Sequence, residues 1–212
     1  MRPVEWTRRC GRAIGAAALL LPHAVIGQAD AERVPLFDGT LAGWTIENDA
    51  NIEVRDGILR VEAPRGWLRS SAQYSDFALR IEFRFMTDDA DSGIFVRAVA
   101  DSEFGPGWPS NSYQVQLRNP LGRSPFPPVG GIFRHGRPPG DTRLDEALVE
   151  RTSTGTGEWQ TLEIEVAGDA LTAALNGVTV TEASGIVNPR GYLGIQAETG
   201  VVEFRAVEIA ER

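Results

Sequence analysis

The chain has 212 residues, 42% of them hydrophobic, and a formal net charge of −8 from 21 cationic and 29 acidic side chains. Every cation is arginine, and Cys10, His23 and His135 are the only cysteine and histidines. Schiff-base lysines, a phosphate-loop lysine and an intrachain disulfide are thereby excluded, and the acidic balance argues against nucleic acid or an anionic membrane as partner.

Residues 1–29 read as a secretory signal peptide. Arg2, Arg8, Arg9 and Arg12 form a basic head, Ile14 to Ile26 an apolar stretch, and Gly27-Gln28-Ala29 a small-residue cleavage site. No apolar run is long enough for a comfortable membrane span. The expectation is one domain, residues 30–212, exported to the periplasm or beyond the cell. That domain would keep His135 as its single histidine and no cysteine. A zinc site with several histidines is then impossible, and a serine triad would have to use His135.

The exported part shows period-two alternation broken by turn signals, with almost no helical periodicity. Asp56-Gly57 turns Ile52–Arg55 into Ile58–Glu62. Asp76 to Met86 sets Phe77, Leu79, Ile81, Phe83 and Phe85 on one face and charged residues on the other. Asp88, Asp89 and Asp91 make an acidic turn, either solvated or holding Ca²⁺, without calcium-loop spacing. Asn111 to Arg118 places Gln114, Gln116 and Arg118 on one face, and Gly93–Val99 places Phe95 and Arg97 together. Asn119 to Gly140 is Pro-rich and reads as long loops around one strand, Gly131–Arg134, with a helical turn near Asp145–Val149. Gly168-Asp169 and Asn176-Gly177 mark two more hairpins, and the phase slip between Phe204 and Val207 predicts a bulge near Arg205-Ala206. About a dozen short strands in one domain indicate an all-β, two-sheet sandwich or jelly roll.

Several segments resemble one known family in order. They are Leu36-Phe37-Asp38-Gly39-Thr40 with Gly43-Trp44, Tyr74-x-Asp76-Phe77, Glu82-Phe83-Arg84, Ser92-Gly93-Ile94-Phe95-x-Arg97 and Gln116. Gly131-Ile132-Phe133, Gly157-Glu158-Trp159, Leu175-Asn176-Gly177, Gly194-Ile195-Gln196 and Phe204-Arg205 complete the set. The chain resembles the 3-keto-disaccharide hydrolase family, also described as 3-keto-glucoside-1,2-lyases and 3-keto-2-hydroxy-glucal hydratases, over residues 34–210. The resemblance implies a concanavalin-A-like β-sandwich acting in carbohydrate metabolism. It departs where the family's usual NSG is Asp91-Ser92-Gly93, its usual Glu is Gln114, and its usual asparagines are Gln160 and Ala206.

The row Gln114, Gln116 and Arg118 suits sugar hydroxyls, which need paired donors and acceptors. No strand carries the two acids about 5 Å apart that ordinary retaining hydrolysis requires. His135, at a strand end, is the only group of the exported part that titrates near neutrality unperturbed. The enzyme reading takes His135 as base or metal ligand, Arg97 as partner of an enolate oxygen, and Arg134 as its assistant. Gln114, Gln116 and Arg118 orient an oxidised, 3-keto glycoside. Trp108, on the loop Gly105–Pro109, stacks on the sugar, as Trp67 and Tyr192 could, while Trp44 and Trp159 read as core. No cofactor is certain, and a divalent metal could replace the arginine's task. The alternatives are a non-catalytic carbohydrate-binding module and a protein-binding envelope domain.

Overall fold

The computed structural model describes residues 32–99, 107–122 and 124–212. The expected signal peptide lies outside the described residues. The strands are β1 (Val34–Phe37), β2 (Trp44–Glu47), β3 (Asn51–Arg55), β4 (Ile58–Glu62), β5 (Gly66–Tyr74), β6 (Phe77–Phe85), β7 (Asp91–Ala98) and β8 (Ser112–Arg118). They continue with β9 (Ile132–His135), β10 (Thr142–Leu144), β11 (Gln160–Ala167), β12 (Ala170–Leu175), β13 (Val178–Ala183), β14 (Gly191–Thr199) and β15 (Val201–Glu211). One α-helix, α1 (Glu146–Thr152), follows β10.

The strands form two antiparallel sheets. The larger runs β10-β13-β12-β11-β6-β15-β4-β3, with β1 also paired to β15; the smaller runs β2-β5-β14-β7-β8-β9. Strand β6 shows why they stack. Its five inward residues are all buried, and its outward ones are half-exposed and mostly charged. They meet Leu68, Ile94, Val96, Tyr113, Val115, Leu193 and Ile195 of the smaller sheet in one core, so alternate residues of both sheets leave water together.

The turn chemistry acts as the sequence indicates. Asp56-Gly57 (φ 51° and 75°) and Asn176-Gly177 (φ 48° and 79°) adopt the positive φ values of tight hairpin turns. The ladder between β15 and β6 shifts register between Phe204 and Ala206, the predicted bulge. Two expectations are adjusted. The strand read over Gly131–Arg134 lies one residue on, at Ile132–His135, and the helical turn is the seven-residue α1, whose first turn the Asp145 carboxylate caps by accepting from the Leu148 N–H at 2.8 Å. Trp159 is not core: it lies half-buried between the guanidiniums of Arg84 and Arg205, 4.5 and 4.7 Å from its ring. Trp44 packs against the core and donates its indole N–H to the Leu36 carbonyl.

A second, smaller apolar cluster lies apart from the main core. Trp67 and Phe95 meet edge to face with centroids 5.6 Å apart, joined by Ala98 and flanked by Trp108 and Tyr192. Trp67 is therefore part of a floor rather than a free stacking platform. Gly194 makes this possible, because a Cβ there would come within 2.4 Å of the Trp67 ring.

Candidate active site

On the outward face of the smaller sheet, above that floor, lies a cavity of about 150 Å³ lined by Trp108, Gln114, Gln116, Arg118, Phe126, Phe133, His135, Gln196 and Glu198. Strand alternation places the polar groups. Cross-strand pairing sets Phe133 opposite Gln114, Gln114 opposite Phe95, Gln116 opposite Gly93, and Gly93 opposite Gln196. The three glutamines are almost fully buried, so each amide must find partners within the protein.

They find each other in one direction only. Gln116 Nε2 donates to Asp91 Oδ1 at 2.7 Å, and Gln196 Nε2 donates to Glu198 Oε2 at 3.1 Å. A carboxylate accepts at both oxygens when ionised and still accepts at one when protonated. Both amide oxygens therefore point back, where Gln114 Nε2 donates to them at 2.6 and 2.9 Å. Gln114 Oε1 is left to accept from His135 Nε2, 2.7 Å away. The acids thus fix the amides, and the amides fix the imidazole: in its neutral form His135 carries its proton on Nε2 and its lone pair on Nδ1. Gly93 leaves the space over which Gln114 folds, since a Cβ would lie 2.2 Å from Gln114 Nε2.

The two ends of this relay are perturbed in opposite senses. His135 sits among aromatic rings, with Phe95, Phe133 and Trp108 centroids at 5.8, 6.2 and 6.4 Å. Burial there holds its pKa below the usual imidazole value. Glu198 is pushed up to about 6, first by burial and then by the neighbouring Asp91 charge, against the pull of Arg65 and Arg118. Asp91 is also raised by burial, with Arg118 opposing. Arg118 pairs with Asp91, donates to Ser124 Oγ at 2.6 Å and lies over the Phe126 ring. Arg65 donates to Glu198 Oε1 at 3.1 Å and covers Trp108.

Five of the seven residues singled out in the sequence meet here: His135, Gln114, Gln116, Arg118 and Trp108. Arg97 does not. Between the pairs Phe95–Gly194 and Ala98–Tyr192, strand β7 carries one residue more than β14, and Arg97 takes φ 47°. That bulge turns its side chain away from Phe95's face. The buried guanidinium instead donates to the carbonyls of Ser75 (2.7 Å), Gly168 (2.7 Å) and Asn188 (2.8 Å) and to Asp76. Arg134 alternates with Phe133 and His135, so it faces the other way and donates to the carbonyls of Ser184 and Gly185. Neither arginine lines the cavity. The acidic turn is divided too: Asp91 joins the site network, while Asp88 accepts from the Thr156 hydroxyl.

Two further site residues, Gln196 and Glu198, carry no mark of their own in the sequence beyond repeating the pattern of Gln114 and Gln116. In Gly194-Ile195-Gln196-Ala197-Glu198, polar residues at i and i+2 flank a core residue. As for a divalent metal, no three His, Cys, Asp or Glu side chains gather at one point among the described residues. The two acids at the cavity are each held by a guanidinium. That donor set does not fit a resident divalent ion.

Fold and cavity together define a two-sheet β-sandwich with a polar, aromatic-walled hollow on one sheet, a form that suits a sugar ring. The family model for the 3-keto-alpha-glucoside-1,2-lyase-like domain matches residues 32–210, and the chain belongs to that family. It is thereby a carbohydrate-active, hydrolase-like protein. Among solved structures, it is similar to a protein of Parabacteroides distasonis provisionally named a glycosyl hydrolase (20% identity, TM-score 0.66, covering 85% of this chain and all of that one). It is also similar to a Bacillus subtilis protein with a galectin-like fold (11% identity, TM-score 0.60, 85% and 94% covered). A carbohydrate-binding module of Bacillus subtilis matches at 16% identity, TM-score 0.54, with 80% and 96% covered. At these identities the likenesses speak for the sandwich fold alone. No curated protein matches the chain.

Proposed function

We propose that this chain, acting after export, cleaves 3-keto-glycosides by β-elimination and hydrates the resulting 3-keto-2-hydroxy-glucal. The observation that carries this reading is the amide relay joining His135 to Glu198 around one cavity. A ketone at carbon 3 acidifies the hydrogen on carbon 2. His135 Nδ1 takes that proton, and the electron pair moves into an enolate. Arg118, the guanidinium that lines the cavity, supports the enolate oxygen in the part first given to Arg97. The enolate then re-forms the ketone, a double bond forms between carbons 1 and 2, and the bond from carbon 1 to its oxygen breaks. Glu198, held partly protonated, gives its proton to the departing oxygen. Hydration runs these proton movements in reverse with water in place of the leaving group: the Glu198 carboxylate takes a proton from water as its oxygen bonds to carbon 1, and the His135 imidazolium returns one to carbon 2.

Two results follow, one for the wild type and one for a variant. Below His135's lowered pKa the imidazole is already protonated; above about pH 6 Glu198 has lost the proton the leaving group needs. A pH profile of kcat/KM should be a bell whose maximum lies on the acid side of neutrality. A plateau through pH 8 would contradict it. Gly93→Ala should force Gln114 off its partners and lower kcat/KM about 100-fold, the order expected when a catalytic group is misplaced by about an ångström. The displaced amides lose buried hydrogen bonds, so melting should fall by several degrees as well, and kinetics with a melting curve check both.

The function itself is tested by incubating the full chain with methyl 3-keto-glucoside and with unoxidised methyl glucoside. Methanol and the ultraviolet-absorbing enone should appear from the first only. Tight binding of unoxidised glycan without turnover of any keto-sugar would favour the binding-module reading, which the three-glutamine floor supports.

A further inference from the structure

A second cavity, of about 350 Å³, adjoins the first, and Arg118 and Phe126 line both. Its far wall is helix α1, which contributes Glu146, Ala147 and Glu150, and Ser124 lies on its near side. The first cavity, about 150 Å³, equals the liquid volume of about five water molecules. It has less than half the volume of the second, which offers the greater room for a bulky substituent on carbon 1. The layout of the smaller sheet decides where that substituent goes. His135 pairs with Ser112 at the start of β8, whereas Arg118, Asp91 and Thr199 pair in line at its end, with Glu198 beside them. The proton donor for the leaving group is thus at the end that borders the second cavity.

We propose that the second cavity is the leaving-group subsite and that it selects by charge and shape, accepting neutral or cationic hydroxylated leaving groups and rejecting anionic ones. The inference rests on the elimination reading above. Phe126, 57% exposed, offers a flat apolar face to the C–H side of a ring. Ser124 Oγ already accepts from Arg118 and from the Phe126 N–H, so its hydroxyl is left to donate, while the carboxylates of Glu146 and Glu150 accept from hydroxyl or ammonium donors. The same carboxylates repel an acid. Among the described residues Arg118 is the cation of the shared wall, and it is paired with Asp91.

The test compares kcat/KM for three 3-keto-glucosides whose leaving groups are methanol, glucose and glucuronate. The wild type should prefer the glucosyl over the methyl substrate by about tenfold and disfavour the glucuronyl one by a similar factor. Ala147→Trp fills the cavity from an exposed helical position and should bring the glucosyl-to-methyl ratio to about one. The double variant Glu146→Gln/Glu150→Gln should instead raise glucuronyl turnover several-fold relative to glucosyl. Ratios unchanged in both variants, or a wild type indifferent to its leaving group, would overturn the subsite assignment while leaving the elimination reading intact. Failure of the wild type on all three substrates would bring down the elimination reading, and this inference with it.

Discussion

Glu198→Gln should slow release of a methyl or sugar leaving group by about a hundredfold to ten-thousandfold, the usual range for loss of a general acid, and scarcely slow release of 4-nitrophenolate. Phenolate leaves without help, so an acid matters only for poor leaving groups. His135→Ala should lose comparable activity on both, because the proton on carbon 2 must be removed whatever departs from carbon 1. The pair separates two assignments that a pH profile alone confuses, since a base of low pKa and an acid of higher pKa give the same bell with the roles exchanged. Assays with methyl and 4-nitrophenyl 3-keto-glucosides decide it. In the wild type the alkaline limb should appear with the methyl substrate and be absent with the aryl one. Equal losses on both substrates in Glu198→Gln, with His135→Ala sensitive to the leaving group, would exchange the two roles. The relay explains why both residues depend on Gln114, which receives from one and, through Gln196, orients the other.

The largest effect on stability is expected at Arg97. Its side chain is 2% exposed, and its donors satisfy the carbonyls of Ser75, Gly168 and Asn188, which come from three separate loops. Arg97→Ala leaves those acceptors without their donor and opens a void beneath them. The cost should be about 3–5 kcal/mol, a fall in melting temperature of roughly 10 °C for a domain of this size. Arg97→Lys should recover little, because one ammonium cannot reach acceptors spread around a planar fork. Asp76→Asn should cost less, about 1.5–3 kcal/mol: it keeps an acceptor for the guanidinium but removes the charge that faces a buried cation. Thermal unfolding of the three variants measures this order. An Arg97→Ala protein that melts with the wild type would mean the guanidinium is no structural hub.

The features legible in the sequence are those encoded locally. The alternation in β6, the Asp56-Gly57 and Asn176-Gly177 turns, the bulge at Arg205-Ala206 and the polar row on β8 each depend on neighbours in the chain. His135 at the end of β9 could be read the same way. What stayed hidden depends on partners far along the chain. Strand β14 inserts between β5 and β7, and only that non-sequential pairing brings Gln196 and Glu198 beside Gln114 and Asp91. Arg97 was misread because alternation assumes an unbroken ladder, and its positive φ breaks it. Arg134 was misread because its neighbour His135 faces the cavity, and adjacent residues of a strand cannot share a face. Phe126 gave no signal within its Pro-rich segment. It becomes a wall only once Arg118 lies over its ring.

Deuterium at carbon 2 tests the elimination most directly. A 3-keto-glucoside carrying deuterium there should release its methyl group several-fold more slowly than the protium form under single turnover. Unlabelled substrate turned over in D₂O should give a product with deuterium at carbon 2. A rate indifferent to the label, with aglycone released and carbon 2 keeping its original hydrogen, would show direct displacement at carbon 1 and contradict the roles assigned to His135 and Glu198.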